Sequence, residues 1–118
     1  MSFDWLSYIK LAEELLRKSD ESYLRSAISR AYYGVFCIAR DSSGYKGYIR
    51  SDVHWKVIDE YIGSRDKDER KIGWLLSILR KQRNIADYDG EALIDKDIAQ
   101  KMVNTAKVIL RIMGINYQ

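Results

Sequence analysis

The 118-residue sequence contains no proline, and this feature restricts the folds open to the chain more than any other. Proline interrupts helices and favours turns, and glycine, the other frequent breaker, occurs only seven times. Hydrophobic residues make up 47% of the chain and charged residues 31%, which is typical of a globular domain and not of a disordered or membrane-embedded chain. Long helices are therefore favoured over loop-rich β architectures, and the length suits one domain over residues 1–118.

Apolar residues recur at steps of three and four along five segments, which predicts five helices. The second segment has the widest apolar face, including Tyr32 and Phe36, and is expected to be the central, buried helix. The predicted helices cover residues 3–18, 21–39, 53–62, a stretch that follows the charged segment SRDKDERK and continues to about 86, and 96–113. The residues expected to cap or end helices are Ser2, Asp52, Gly63, Asp95 and Gly114. We expect an all-α, up-and-down bundle of four long helices and one short helix.

The ionisable residues exclude several kinds of site. The formal net charge of +3 and the pI near 8.9 permit contact with phosphates without predicting it. The single cysteine, Cys37, excludes an internal disulfide and is interpreted as a small core residue, and the single histidine, His54, leaves zinc without its usual ligands. We therefore expect no metal and no cofactor. No apolar run approaches the ~20 residues that span a bilayer and the N-terminal segment lacks a signal-peptide pattern, so a cytoplasmic protein is expected.

The predicted fourth helix carries a basic residue where an apolar one is expected. On a helical wheel at ~100° per residue, Arg83 falls between the directions of Ile72 and Leu76, inside the apolar arc. The arc is expected to extend to Trp74, Ile78 and Ile85. Burial of a guanidinium is costly unless it is paired. Arg83 therefore pairs with a carboxylate such as Asp87 in an ordinary core, lies in an interface between subunits, or lines a cleft that binds phosphate.

Two further groups of residues are candidates for contacts near this position. In the second helix, Arg30, Tyr32 and Tyr33 are placed to hydrogen-bond across the bundle to Asp87, and we favour a packing role over a catalytic one. The tyrosines in or near loops are candidates for stacking on nucleobases, and these are Tyr45, Tyr48 and Tyr88.

Three segments of the chain together resemble one family. SAISRAYYGVFCIAR, residues 26–40, resembles the second helix of HEPN domains, a family named for nucleotide binding in higher eukaryotes and prokaryotes. LRKQRNIADYDG, residues 79–90, resembles the family's late helix, in which an arginine and a polar residue open the functional motif. HWKVIDEYI, which begins at His54, resembles the third helix of a small bacterial and archaeal branch. The resemblance covers nearly the whole chain, in order and spacing.

The resemblance implies an all-α bundle, usually a homodimer, in which the motif arginines of both subunits face a shared cleft. Many members are metal-independent ribonucleases, including toxins paired with a minimal nucleotidyltransferase antitoxin. Their motif is an arginine, four to six residues and a histidine, because attack of a ribose 2′-OH on phosphate needs proton transfer near neutral pH and a fixed cation. Here Arg83 and Asn84 match the opening, but Tyr88 stands where the histidine is expected, and a phenol is a poor base at pH 7.

We therefore expect a HEPN-like subunit that interacts with nucleotides or RNA in a toxin–antitoxin-type pair, with catalysis lost or altered. In this hypothesis Arg83 contacts phosphate, Asp87 fixes its guanidinium and Tyr88 lines the same cleft. An active endoribonuclease would instead combine Arg83 with a displaced base such as His54, whose pKa the positive end of a helix would lower. A third alternative is a scaffold bundle in which Arg83 joins a dimer seam. The residues predicted to contact nucleotide or RNA are Arg80, Asn84, Arg30 and Tyr33.

Overall fold

The computed structural model describes residues 2–117, and this part of the chain forms five α-helices and no β-strand. The helices are α1 (Leu6–Leu15), α2 (Glu21–Asp41), α3 (Val53–Ile62), α4 (Lys67–Tyr88) and α5 (Lys96–Ile112). The prediction of an all-helical bundle is confirmed. No helix within residues 2–117 is long and apolar enough to cross a membrane.

The central helix of the bundle is α2, which contacts each of the other four helices. Ala27 and Ala31 are fully buried, and such small side chains let neighbouring helices approach the α2 backbone. At Gly34 the approach of α1 is closest, because a Cβ atom there would lie 2.6 Å from Ile9 Cδ1. Buried side chains of all five described helices join in one hydrophobic cluster. The predicted central position of α2 is therefore confirmed.

The first helix is shorter than predicted at both ends. The prediction of residues 3–18 with Ser2 as the cap is wrong, because the Asp4 side chain accepts a hydrogen bond from Leu6 N at 3.0 Å and forms a turn before the helix. After Leu15 the chain tightens into bonds of the 3₁₀ type, such as Lys18 N to Leu15 O at 3.2 Å. Since α1 and α3 each have ten residues, the described bundle has three long helices and two short ones, instead of four and one.

The longest helix, α4, carries most of the candidate site. It starts after Asp66, whose side chain accepts a hydrogen bond from Asp68 N at 2.8 Å. It ends two residues beyond the predicted end at 86, so Asp87 and Tyr88 are helical and the turn begins after them. Arg83 is only 8% exposed, which confirms its predicted place on the buried side of the helix.

Two large apolar residues of α4 face away from the bundle. Trp74 is 67% exposed and Ile78 is 41% exposed, so the prediction that they extend the buried arc is wrong. At ~100° per residue they lie roughly 200° and 240° around the helix from Ile72, on the side opposite the core. Their position on the wheel, and not their hydrophobicity, decides their exposure.

The third helix packs closely on α4. A Cβ atom on Gly73 would lie 2.7 Å from Ile62 N, so only glycine leaves room for the two backbones at this separation. The predicted side-chain cap of α3 is not formed. Asp52 occupies the cap position, but its carboxylate pairs with Lys56 Nζ at 3.1 Å and accepts no hydrogen bond from an amide of the first turn.

The last helix begins and ends close to the predicted positions. Asp95 caps its start by accepting a hydrogen bond from Ile98 N at 3.0 Å. Beyond its end, Gly114 has a φ of 77°, and Ile115 N donates to Leu110 O at 2.9 Å. This is the glycine-dependent helix end that the sequence predicts.

Candidate functional site

The Arg83 guanidinium is surrounded by polar groups of α2 and α4. Nη1 donates a hydrogen bond to Asn84 Oδ1 at 2.7 Å, and Nη2 donates one to the Tyr33 hydroxyl. Nε lies 3.1 Å from Asp87 Oδ2, but its N–H is not aimed at that oxygen, so the contact is an ion pair without a hydrogen bond. A guanidinium that is more than nine-tenths buried therefore keeps a donor that is unused within residues 2–117.

Three tyrosine rings line the guanidinium of Arg83. Its central carbon lies 4.8 Å from the ring centroid of Tyr33, 5.6 Å from that of Tyr88 and 5.7 Å from that of Tyr32. Rings at such distances attract a cation through their negative faces. Tyr32 is fully buried whereas Tyr88 is 75% exposed, so the rings lead from the core to the protein surface. Arg83 is thus buried with one exposed ring, that of Tyr88, beside it.

The carboxylate of Asp87 is shared between two helices. Besides its ion pair on α4, its Oδ2 atom accepts a hydrogen bond from Ser29 Oγ of α2 at 3.1 Å. None of Arg30, Tyr32 and Tyr33 makes the considered hydrogen bond to Asp87 within residues 2–117, and Ser29, the residue before Arg30, makes it instead. The side chain of Asp87 is 27% exposed, so water screens its charge in part.

Arg30 lies on aromatic rings instead of reaching a carboxylate. Its central guanidinium carbon is 4.6 Å from the ring centroid of Tyr8 and 5.3 Å from that of Tyr33. The Tyr33 ring therefore lies within cation–π distance of two guanidinium groups, those of Arg30 and Arg83. Tyr33 therefore contacts both Arg30, on its own helix, and Arg83, on α4.

His54 of α3 lies in the same cluster of side chains. Its Nδ1 atom is 2.7 Å from the Tyr32 hydroxyl, and its ring stacks on Phe36 with a centroid separation of 4.5 Å. In the tautomer with its hydrogen on Nε2, His54 accepts a hydrogen bond from the Tyr32 hydroxyl at Nδ1, and in the other tautomer Nδ1 donates to the hydroxyl oxygen. His54 and Arg83 both lie against the rings of Tyr32 and Tyr33, so the tertiary proximity that a role for His54 requires is present.

The environment keeps His54 neutral at physiological pH. Burial, together with the positive charges of Arg80 and Arg83, lowers its pKa to about 4. The predicted direction is confirmed, but the cause is burial and two guanidinium groups rather than the end of a helix. Burial also raises the pKa of the Tyr32 hydroxyl, so the phenol stays protonated at neutral pH.

Arg80 adds a second guanidinium one turn before Arg83 on α4. Its charge acts on both His54 and Tyr32, as that of Arg83 does. Its Nε atom is buried and makes no hydrogen bond within the described part of the chain. We refer to Tyr32, Tyr33, His54, Arg80 and Arg83 as the arginine cluster.

Sequence reasoning missed the residue that fixes the end of α4. The Arg25 guanidinium of α2 donates hydrogen bonds to carbonyl oxygens of Ile85, Ala86, Asp89 and Ala92. Such carbonyls lack partners within a helix and need donors from elsewhere. Glu21 holds Arg25 through an ion pair of 2.9 Å, and this i,i+4 pair was the only signal available in the sequence.

The remaining candidates lie outside the arginine cluster. Tyr45 and Tyr48 pack edge to face on each other at 5.8 Å in the loop after α2 and also contact the core. Among the three loop candidates for base stacking, Tyr88 alone presents most of its surface to solvent. Cys37 is buried as predicted, and burial raises the pKa of its thiol to about 11, so it stays protonated at pH 7.

No protein-family model, curated protein or solved structure matches this chain. The geometry of residues 2–117 defines a helical bundle in which an arginine is buried where α2, α3 and α4 meet. The site combines two guanidinium groups, a neutral imidazole and tyrosine hydroxyls, a set of hydrogen-bond donors suited to an anion.

Proposed function

We propose that the protein is a HEPN-like, nucleotide- or RNA-interacting protein that binds phosphate at the arginine cluster. In this proposal it acts in the cytoplasm as the HEPN subunit of a toxin–antitoxin-type pair with a minimal nucleotidyltransferase. It has the up-and-down topology of that family and forms a homodimer. Support comes from the three segments that resemble the family, since each contributes a side chain to the arginine cluster. Residues 26–40 contribute Tyr32 and Tyr33, the segment that begins at His54 contributes that histidine, and residues 79–90 contribute Arg83.

The observation that carries the proposal is an excess of positive charge at the arginine cluster, where Arg83 is buried and Arg80 is partly exposed. Arg80 and Arg83 together place two charges around His54, and Asp87 supplies one opposing carboxylate, itself partly exposed. Both arginines retain an Nε donor that makes no hydrogen bond in the described residues. Buried donors of this kind are costly unless a partner accepts a hydrogen bond from them. A phosphate group supplies both the charge and the acceptors.

The state of His54 supports binding without catalysis. The proposal takes the tautomer with the hydrogen on Nε2, in which the imidazole donates a hydrogen bond there and cannot accept the proton of a ribose hydroxyl. A pKa of about 4 also makes it a weak base at pH 7. In this proposal Arg83 contacts phosphate, Asp87 orients the guanidinium, and Tyr88 lines the same cleft.

A second candidate function, that of a metal-independent endoribonuclease, is favoured by the proximity of His54 to Arg83. It requires the other imidazole tautomer, with Nδ1 donating to the Tyr32 oxygen and Nε2 free. His54 Nε2 would then take the proton of a ribose 2′-OH while the 2′-oxygen forms a bond to phosphorus. The bond from phosphorus to the 5′-oxygen breaks, and that oxygen takes up a proton, which leaves a 2′,3′-cyclic phosphate and a 5′-hydroxyl. Arg83 would stabilise the charge that develops on the phosphate.

RNA binding by a matched pair of charge variants tests the proposal. Fluorescence anisotropy of a labelled single-stranded RNA is measured in EDTA with the wild type, Arg83→Gln and Lys67→Gln. Lys67 begins α4, about 24 Å along the helix axis from Arg83, and its replacement removes the same charge. We expect Arg83→Gln to weaken binding about 10- to 100-fold. Lys67→Gln should stay within about twofold of the wild type. Equal losses in both variants, or no binding by the wild type, would contradict the proposal.

The same samples separate the two candidate functions. Intact RNA on a gel after long incubation at high protein concentration agrees with binding alone. Cleavage that disappears in both Arg83→Gln and His54→Gln would establish the nuclease instead. A slope of log affinity against log salt near zero would restrict the ligand to a small nucleotide, because each phosphate contact contributes to that slope.

A measurement of the molecular mass of the protein in solution tests the proposed assembly. Light scattering after size exclusion should give twice the monomer mass, and a co-expressed minimal nucleotidyltransferase should co-elute with the protein. In the scaffold alternative, Arg83→Ala would change the oligomer mass or the melting temperature and leave RNA binding untouched. The proposal requires the opposite result, a loss of RNA binding.

A further inference from the structure

A groove between α3 and α4 adjoins the arginine cluster. It encloses about 390 Å³, within the range of sites that hold small ligands. Trp55 of α3, which is 54% exposed, forms one wall, and Arg80 and Asn84 of α4 form part of the other. Arg80 belongs to both the groove and the arginine cluster, and Asn84 connects the two by accepting a hydrogen bond from Arg83.

The two walls of the groove differ in charge. Arg80 and Lys81 place positive charge on the α4 side, whereas Asp59 places a carboxylate on the α3 side next to the Trp55 indole. A phosphate therefore favours the α4 side. The α3 side offers an exposed aromatic face and an acceptor of hydrogen bonds, which suit a nucleobase.

We propose that this groove binds the base of a nucleotide whose phosphate lies at the arginine cluster, with the base stacked on Trp55. The inference rests on the proposed phosphate binding and names the ligand as a nucleoside monophosphate unit, free or within single-stranded RNA. The Asp59 carboxylate accepts hydrogen bonds and so suits the N–H donors that a base carries on its edge.

Charge complementarity favours a nucleotide over a second copy of this chain in the groove. In a two-fold symmetric contact the same patch lies on both subunits, so two copies each of Arg80 and Lys81 would meet only two copies of Asp59 and leave a net positive charge in the contact. A nucleotide instead carries the negative charge that these two side chains match. The exposed apolar residues Trp74 and Ile78 do not line the groove and provide a control surface.

Two tryptophan variants and three probes test the inference. Isothermal titration measures the affinities of inorganic phosphate, adenosine monophosphate and an oligoadenylate for the wild type, Trp55→Leu and Trp74→Leu. Circular dichroism shows whether each variant is folded. In Trp55→Leu, the loss of one stacked base should weaken the binding of adenosine monophosphate and of oligoadenylate about 5- to 100-fold. The affinity for inorganic phosphate should not change in this variant, and Trp74→Leu should match the wild type with all three probes.

Each result supports or overturns a defined part of the inference. Unchanged nucleotide affinity in Trp55→Leu would overturn base stacking while leaving phosphate binding intact. No binding of any probe by the wild type would overturn both. A lower oligomer mass in Trp55→Leu, with unchanged nucleotide affinity, would assign the groove to a second copy of the chain. Tight binding of oligoadenylate with none of the monophosphate would identify RNA as the source.

Discussion

Acidification should destabilise the fold through His54. The imidazole has a pKa of about 4 in the folded protein, far below its ordinary value of 6.5. Between these two values the unfolded chain binds more protons at this residue than the folded protein does. The free energy of unfolding therefore falls as the pH drops through this interval and is restored above about pH 6.5. His54 is the only histidine, so no second imidazole contributes to the effect.

The size of the effect follows from the separation of the two pKa values. Each unit of separation corresponds to about 1.4 kcal/mol. Between pH 7 and pH 4.5 the full shift would lower the free energy of unfolding by ~2.4 kcal/mol. Because His54 is only partly buried, water screens its environment, and we expect about 1 to 2 kcal/mol.

Urea unfolding followed by circular dichroism at pH 7 and pH 4.5 measures this loss. The control is His54→Gln, whose side-chain oxygen can accept the Tyr32 hydrogen bond but does not titrate. Carboxylates contribute equally to both proteins, so the wild type should lose about 1 to 2 kcal/mol more than the variant. Equal losses in the two proteins would refute the reasoning, because they would show that His54 has an ordinary pKa.

Three further perturbations follow from individual contacts. Gly73→Ala should lower the free energy of unfolding by about 1 to 2 kcal/mol in urea melts, because the new methyl group meets the Ile62 backbone, whereas Gly90→Ala meets no atom within 4 Å and should be neutral. Arg25→Met should lower the free energy of unfolding by about 2 kcal/mol, since carbonyls at the end of α4 lose a donor. Amide hydrogen exchange after residue 88 should accelerate in this variant, and exchange at the wild-type rate would contradict the role of Arg25. Asp87→Asn should raise the affinity for inorganic phosphate about two- to fivefold in calorimetry, because it removes a competing negative charge and keeps an acceptor beside Arg83. Weaker binding would contradict this and show that the guanidinium needs the charge of Asp87 to be oriented.

Periodicity predicts what depends on the direction of each side chain around its own helix. The burial of Arg83 and the central position of α2 were predictable in this way, since both follow from steps of three and four. The same rule places Trp74 on the exposed side, and the prediction failed there because hydrophobicity was given more weight than direction.

Contacts between helices were not predictable from periodicity. The bond between Tyr32 and His54 joins residues 22 positions apart, and it depends on how α3 packs against the rest of the bundle. The Gly73 contact that sets the α3–α4 distance carries no pattern of its own in the sequence. Arg25 resembles an ordinary surface i,i+4 pair until the carbonyls of α4 are placed beside it.

The most direct test of phosphate binding at the arginine cluster is an NMR pH titration of the His54 imidazole with and without inorganic phosphate. Negative charge beside Arg80 and Arg83 offsets the repulsion that holds the imidazole pKa low. We predict that phosphate raises this pKa above about 4 in the wild type and in Lys67→Gln, but not in Arg83→Gln. An identical titration curve with and without saturating phosphate in the wild type would contradict the account.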